Sequence, residues 1–114
     1  MSQMITTVIY PVKDITQAKK LFSQLLGVEP VMDQPYYVGF RVGDQDIGLD
    51  PNGFQHGMTG PVAYYNVLNI AQSMQALLDG GAKKIQDIRD VGGGKLIASV
   101  KDPDGNDIGL IQMP

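Results

Sequence analysis

The 114-residue chain holds one histidine, twelve acidic residues, nine lysines and arginines, and no cysteine. Without cysteine it has no thiolate nucleophile, no disulfide and no Cys-ligated zinc. His56 lies between Gly53 and Gly60 beside Phe54, Gln55, Gly57 and Met58. A lone histidine in such a connector reads more simply as a solvated loop residue than as a metal ligand or general base. A Ser-His-Asp triad would have to recruit it, and only its presence supports one. Asp50 and Asp107 are carboxylates close to strand ends, and Asp107 follows Asn106 at a turn, which makes turn chemistry its first reading. Gly92, Gly93 and Gly94 match neither the spaced glycines of a dinucleotide fingerprint nor a phosphate-binding loop. They read as an exposed turn, or alternatively as a flap over a site.

These residues must be positioned by elements that the chain spells twice. Ile5 to Val12 is rich in β-branched residues and reads as a strand. Ile15, Ala18, Leu21, Phe22, Leu25 and Leu26 then fall on one face at helical spacing, with Asp14 as cap, Gln17 three residues on and Gly27 as stop. After Gly60 and Pro61 the pattern returns. Val62 to Val67 is strand-like, Asn69 and Gln72 repeat the cap, and Ile70, Met74, Leu77 and Leu78 make a stripe ending at Gly80 and Gly81. Asp46-Ile47-Gly48-Leu49 recurs as Asp107-Ile108-Gly109-Leu110. Before each copy lies a hairpin pattern, Tyr36 to Val42 turning at Gly43 and Asp44, and Leu96 to Lys101 turning at Asp102 to Gly105. Each half reads strand, helix, then about three strands.

The length fits one domain, 1–114, made of modules at about 1–56 and 60–114. Hydrophobic residues at 43% and charged residues at 18% describe a globular chain rather than a disordered one. A net charge of −3 and a pI of about 4.8 leave phosphate backbones and anionic membranes without an obvious partner surface. Lys19-Lys20 and Lys83-Lys84 read as solvated faces. No apolar run reaches the roughly 18 residues of a spanning helix, so neither nucleic acid nor membrane is expected and the default compartment is the cytoplasm. A half-chain module is marginal as a folding unit, which predicts that modules support one another within the chain or across a homodimer.

The repeat, the Val12-Lys13-Asp14 step into the first helix, the Leu25-Leu26-Gly27-Val28 helix end and Asp102-Pro103-Asp104-Gly105-Asn106 before the last strand resemble the vicinal oxygen chelate superfamily. That superfamily includes glyoxalases, bleomycin-resistance proteins and extradiol dioxygenases. The resemblance covers nearly the whole chain and implies an α+β fold of two tandem βαβββ modules, with paired curved sheets around a cavity. Metal-dependent members place a His on a module's first strand and a Glu on its last. Those positions fall here on Thr7 and Val62, and on Gly48 and Gly109. Glycine and valine have no side-chain donor atom and a neutral threonine hydroxyl is a poor one, so no metal or other cofactor is expected.

Strand alternation sorts what faces such a cavity. With Val8, Tyr10 and Val12 under the first helix, Ile5, Thr7 and Ile9 face inward; Tyr37, Gly39 and Arg41 oppose Val38, Phe40 and Val42. With Ala63, Tyr65 and Val67 under the second helix, Val62, Tyr64 and Asn66 face inward, and Ile97 and Ser99 oppose Ala98 and Val100. The candidate ligand-binding residues are therefore Thr7, Tyr37, Arg41, Tyr64, Asn66 and Ser99, an apolar and aromatic face with a few polar groups that suits a small molecule. Ordinary strand packing for the tyrosines and an exposed edge for Arg41 are the plainer alternatives. Three functions compete: a metal-free binding protein that sequesters a small molecule as bleomycin-resistance proteins do, a glyoxalase- or dioxygenase-type enzyme with non-standard ligands, and a regulatory or interaction subunit with a vestigial cup. On the binding reading, Tyr64 contributes to affinity and Tyr65, under the helix, to stability.

Overall fold

The computed structural model describes residues 4–114, so the first three residues of the first module lie outside the described residues. The fold is α+β, two βαβββ modules in succession. Two compact units result, Thr6–Pro61 and Val62–Pro114, the second also holding Met4 and Ile5.

The first module begins with strand β1, Ile5–Pro11. At Asp14 the backbone is still extended, and its carboxylate accepts the Gln17 N–H at 3.0 Å, satisfying a donor that the first turn of helix α1, Ile15–Leu26, leaves unpaired. Gly27, at φ 72°, ends the helix in the left-handed conformation that a Cβ disfavours. Strands β2, Met32–Gln34, β3, Tyr37–Val42, and β4, Gln45–Asp50, follow. Their order with β1 is β2-β3-β4-β1, antiparallel except for β1, which lies parallel to β4. Ile15, Ala18, Phe22 and Leu26 bring the apolar stripe of α1 onto Val38, Phe40 and Leu49, with Tyr10 and Val12 joining from the β1 side. The Tyr10 and Phe22 rings meet tilted at 4.9 Å between centroids, a favourable aromatic arrangement.

The second module uses the same parts. Strand β5, Val62–Asn66, leads to Asn69, whose side-chain oxygen accepts the Gln72 N–H at 3.0 Å and opens helix α2, Ile70–Asp79. The Ile70 N–H is bound at 2.8 Å by Gln112 Oε1, which ties the helix start to the last strand. Strands β6, Lys83–Asp90, β7, Leu96–Lys101, and β8, Asp107–Gln112, complete the order β5-β8-β7-β6, with β5 parallel to β8. Val67, Ile70, Met74, Ala98, Val100 and Leu110 form the core beneath α2. The β6 edge carries charges and two register shifts against β7, features that discourage pairing with another chain. The Gly92-Gly93-Gly94 turn joins β6 to β7 with all three residues at positive φ. It is fastened by hydrogen bonds from Gly92 N–H to Asp90 Oδ1 and from Val91 N–H to the Lys95 carbonyl.

The β7–β8 turn is organised by Asp102, whose carboxylate accepts the Asn106 side-chain amide at 3.0 Å, the Asn106 N–H at 2.8 Å and the Asp104 N–H at 3.0 Å. These bonds, that of the Asn106 side chain foremost, hold its pKa below the ordinary carboxylate value. A carboxylate with a depressed folded-state pKa stabilises the fold above its unfolded pKa of about 3.9 and loses that contribution as pH falls through the folded value. Asp102→Asn is therefore expected to flatten the acid limb of a melting-temperature profile below about pH 4. Leu49, fully buried, tests the first core: Leu49→Ala should cost about 2–5 kcal/mol in urea unfolding, with an unchanged m-value.

Candidate functional site

The face of each module's four strands that is turned away from its helix is where site residues must be sought, and strand register defines it row by row. In the first module Thr7, Asp46 and Arg41 form one row across β1, β4 and β3. The next row is Ile9, Gly48, Gly39 and Met32. Neighbours one residue away along these strands, Val38, Phe40 and Leu49, are core beneath α1, so the two rows lie on the opposite, inner face. In the second module the rows are Lys101 with Asp107, then Ser99, Gly109 and Tyr64, then Ile97, Ile111 and Asn66. Thr7, Tyr37 and Arg41 thus share the inner face of the first module, and Tyr64, Asn66 and Ser99 that of the second.

Glycine occupies the same place in both modules, and a tyrosine covers it each time. A Cβ at position 48 would fall on the Tyr37 hydroxyl, 2.6 Å from Cζ and 3.0 Å from Cε1. A Cβ at position 109 would lie 2.6 Å from Tyr64 Cγ and 2.8 Å from Cε2. Both rings rest on bare backbone, and any side chain at 48 or 109 would have to displace one. A Glu-based metal centre does not fit this chain: Thr7 and Val62 replace the imidazoles, and phenol rings fill the space that carboxylates at 48 and 109 would need. Among the described residues no three His, Asp or Glu side chains converge as a metal site.

The polar residues are placed as follows. Arg41 is exposed, and its Nη1 donates to Asp46 Oδ1 at 2.9 Å, so an anionic ligand would compete with an existing partner. Lys101 and Asp107 make the matching pair in the second module, at 2.6 Å and more deeply buried. Turn chemistry as the first reading of Asp107 is therefore corrected: Asp107 is an ion-pair partner, and it is Asp50 that accepts a turn N–H, from Asn52 at 2.8 Å. Asn66 Nδ2 donates to the Met4 carbonyl at 3.1 Å. Thr7 and Ser99 are buried, at 8% and 5% exposure. His56 sits exposed in a short 3-10 turn, Phe54–His56. An open depression on α1, among Asp14, Gln17, Lys20 and Leu21, is solvent-facing helix surface without converging ligand groups.

Sequence alternation placed Tyr64 and Tyr65 on their faces but not at their depths. Tyr65 shares its face with Leu110, as register requires, yet is 37% exposed and outside the core beneath α2. Tyr64 is only 3% exposed. The stability role expected of Tyr65 therefore passes to Tyr64. The signal that could have revealed it is the residue directly across the ladder, glycine, which leaves room for a ring to sink. Tyr64→Ala is expected to cost about 3–5 kcal/mol and Tyr65→Ala less than about 1.5 kcal/mol in chemical denaturation. Equal losses would contradict the burial seen here.

No curated protein sequence matches the chain. Among solved structures it is similar to a hypothetical protein from Bacillus halodurans, with a TM-score of 0.75 and 14% identity over 100% of this chain and 96% of that one. It is similar also to a glyoxalase/bleomycin resistance protein/dioxygenase superfamily member from Vibrio splendidus, with a TM-score of 0.69 and 18% identity over 93% and 95%. A third is methylmalonyl-CoA epimerase from Mycobacterium tuberculosis, with a TM-score of 0.67 and 16% identity over 96% and 87%. At these identities the likeness shows the fold alone. The family described as Glyoxalase/Bleomycin resistance protein/Dioxygenase superfamily matches residues 4–110, and the chain belongs to that superfamily.

Proposed function

We propose that the protein is a metal-independent, small-molecule-binding member of its superfamily, holding an aromatic metabolite or drug-like compound on the inner face without transforming it. One observation carries this reading: tyrosine rings cover Gly48 and Gly109, the places where the superfamily's metal enzymes carry a carboxylate. The inner face of the first module offers a partly exposed phenol, an arginine and a threonine, a mixture suited to orienting a small ligand.

A second reading, a regulatory or interaction subunit with a closed inner face, is favoured by the second module, where Val62, Tyr64 and Ile111 are all buried. A thermal-shift screen of small aromatic compounds separates the two. Stabilisation by at least one compound is expected on the binding reading, and none on the closed one.

Addition of Zn, Ni or Mn salts is expected to leave the melting temperature unchanged. A native site at a hundredfold excess over its dissociation constant would add about 2.7 kcal/mol, a rise of roughly 10 °C. Metal analysis giving close to one tightly held ion per chain would overturn the metal-independent assignment. The proposal includes a homodimer, with Leu21, Leu25 and Val31 among the exposed apolar side chains available for contact. Light scattering at micromolar concentration should return twice the chain mass of 12.3 kDa.

A further inference from the structure

The inner face of the first module contains a place the size of a planar ring, and the chain fills it with one of its own. Gly39 and Gly48 face one another across β3 and β4, so two neighbouring strands present bare backbone side by side. Ile9 and Met32 bound this floor in the same row, and Thr7, Asp46 and Arg41 form the row beyond it. Tyr37 starts on the other side and lies back across the floor, its Cε2 3.3 Å from where a Cβ of Gly39 would be and its hydroxyl over Gly48. Unlike its neighbours Val38 and Phe40 on the opposite face, Tyr37 is not fully buried. At the far end stands Thr7, a buried residue whose hydroxyl can donate to or accept from an incoming oxygen or nitrogen.

We propose that the floor made by Gly39 and Gly48 is a slot for a phenol-sized planar ligand bearing a polar oxygen, and that the Tyr37 ring is its placeholder, leaving as the ligand enters. This deepens, and rests on, the small-molecule reading above. The slot's present occupant defines the ligand class: a flat six-membered ring with one hydroxyl already fits the bare backbone. Thr7 receives the ligand's polar oxygen, and the Arg41–Asp46 ion pair stands in the same row, so a neutral polar group suits this end better than an anion. Because ring and ligand compete for one volume, the observed affinity is the intrinsic affinity multiplied by the fraction of molecules in which Tyr37 has left.

The test uses the full chain labelled with 3-fluorotyrosine, its Tyr37 fluorine resonance assigned through Tyr37→Phe, and 4-nitrophenol as probe. As 4-nitrophenol is added, the Tyr37 resonance should move toward the solvent-exposed position while those of Tyr10 and Tyr64 stay in place. Tyr37→Ala should bind the probe about fivefold or more tightly than wild type, since the competitor is gone. Gly48→Val, which raises side-chain carbons from the floor, should abolish binding. Its fold is checked by circular dichroism, and Thr7→Val, which keeps shape and removes the hydroxyl, should weaken binding as a second, milder variant. Binding by Tyr37→Ala with none by wild type would reveal only an engineered cavity and overturn the slot. Wild-type binding with the Tyr37 resonance unmoved would overturn the slot while leaving the small-molecule reading intact. Silence of both proteins toward 4-nitrophenol overturns the slot, and the broader thermal-shift screen then decides the parent reading.

Discussion

A tyrosine ring lies flat on a β-sheet only where the strand beneath it carries no Cβ, and Gly48 and Gly109 meet that condition at the same place in both modules. Glycine inside a strand weakens it through backbone entropy and the missing side chain. A ring laid across the gap restores packing and keeps water from the exposed ladder, as aromatic cover does for strand glycines generally. The two covers differ because the two tyrosines approach differently. Tyr64 stands directly opposite Gly109, so the near part of its ring, Cγ to Cε2, meets the glycine. Tyr37 reaches Gly48 diagonally from beyond Gly39, so only its far end, Cζ and the hydroxyl, arrives there. One module thereby gains an apolar plug and the other delivers a polar atom to the same relative position.

Duplication extends to the electrostatics, and there too the copies have diverged. Arg41 with Asp46 and Lys101 with Asp107 are cross-strand pairs beside their glycines, formed where the first residue of the repeated Asp-Ile-Gly-Leu sequence meets a cation on the adjacent strand. The first pair stands in solvent, where such contacts are worth at most about 1 kcal/mol. The second is partly enclosed, so removing one member alone leaves a charge with less water to receive it. One backbone plan thus carries a more exposed ion pair in the first half and a more enclosed one in the second.

Much of the fold was legible because it depends on local grammar. Cap residues Asp14 and Asn69, the helical stripes, the turn residues at Gly43 and Asp102 to Gly105, and the period of two in β1, β3, β5 and β7 each act over a few neighbours in sequence. Face assignment followed from alternation, and it held for Tyr10, Val12, Val38, Phe40, Ala98 and Val100 beneath the helices. Depth did not follow, because it depends on what lies across the ladder. Nothing next to Tyr64 in sequence says that Gly109 will face it, or that Tyr65 will stand at a margin. The ion pair of Asp107 escaped notice for the same reason: Lys101 becomes a partner only once β7 and β8 are in register.

In each module the strand that comes first pairs, in parallel, with the strand that comes last: β1 with β4, and β5 with β8. Hairpin contacts such as β3 with β4 close quickly over short turns, whereas a parallel partner must be met across everything made in between. Time therefore enters the design. During synthesis β1 emerges early and waits unpaired while α1, β2 and β3 are made, and the row that aligns Ile9 with Gly48 exists only after β4 has appeared. The inner face of a module is thus the last part of it to be born, and a chain interrupted before its fourth strand holds a helix and a hairpin but no floor on which a tyrosine could rest.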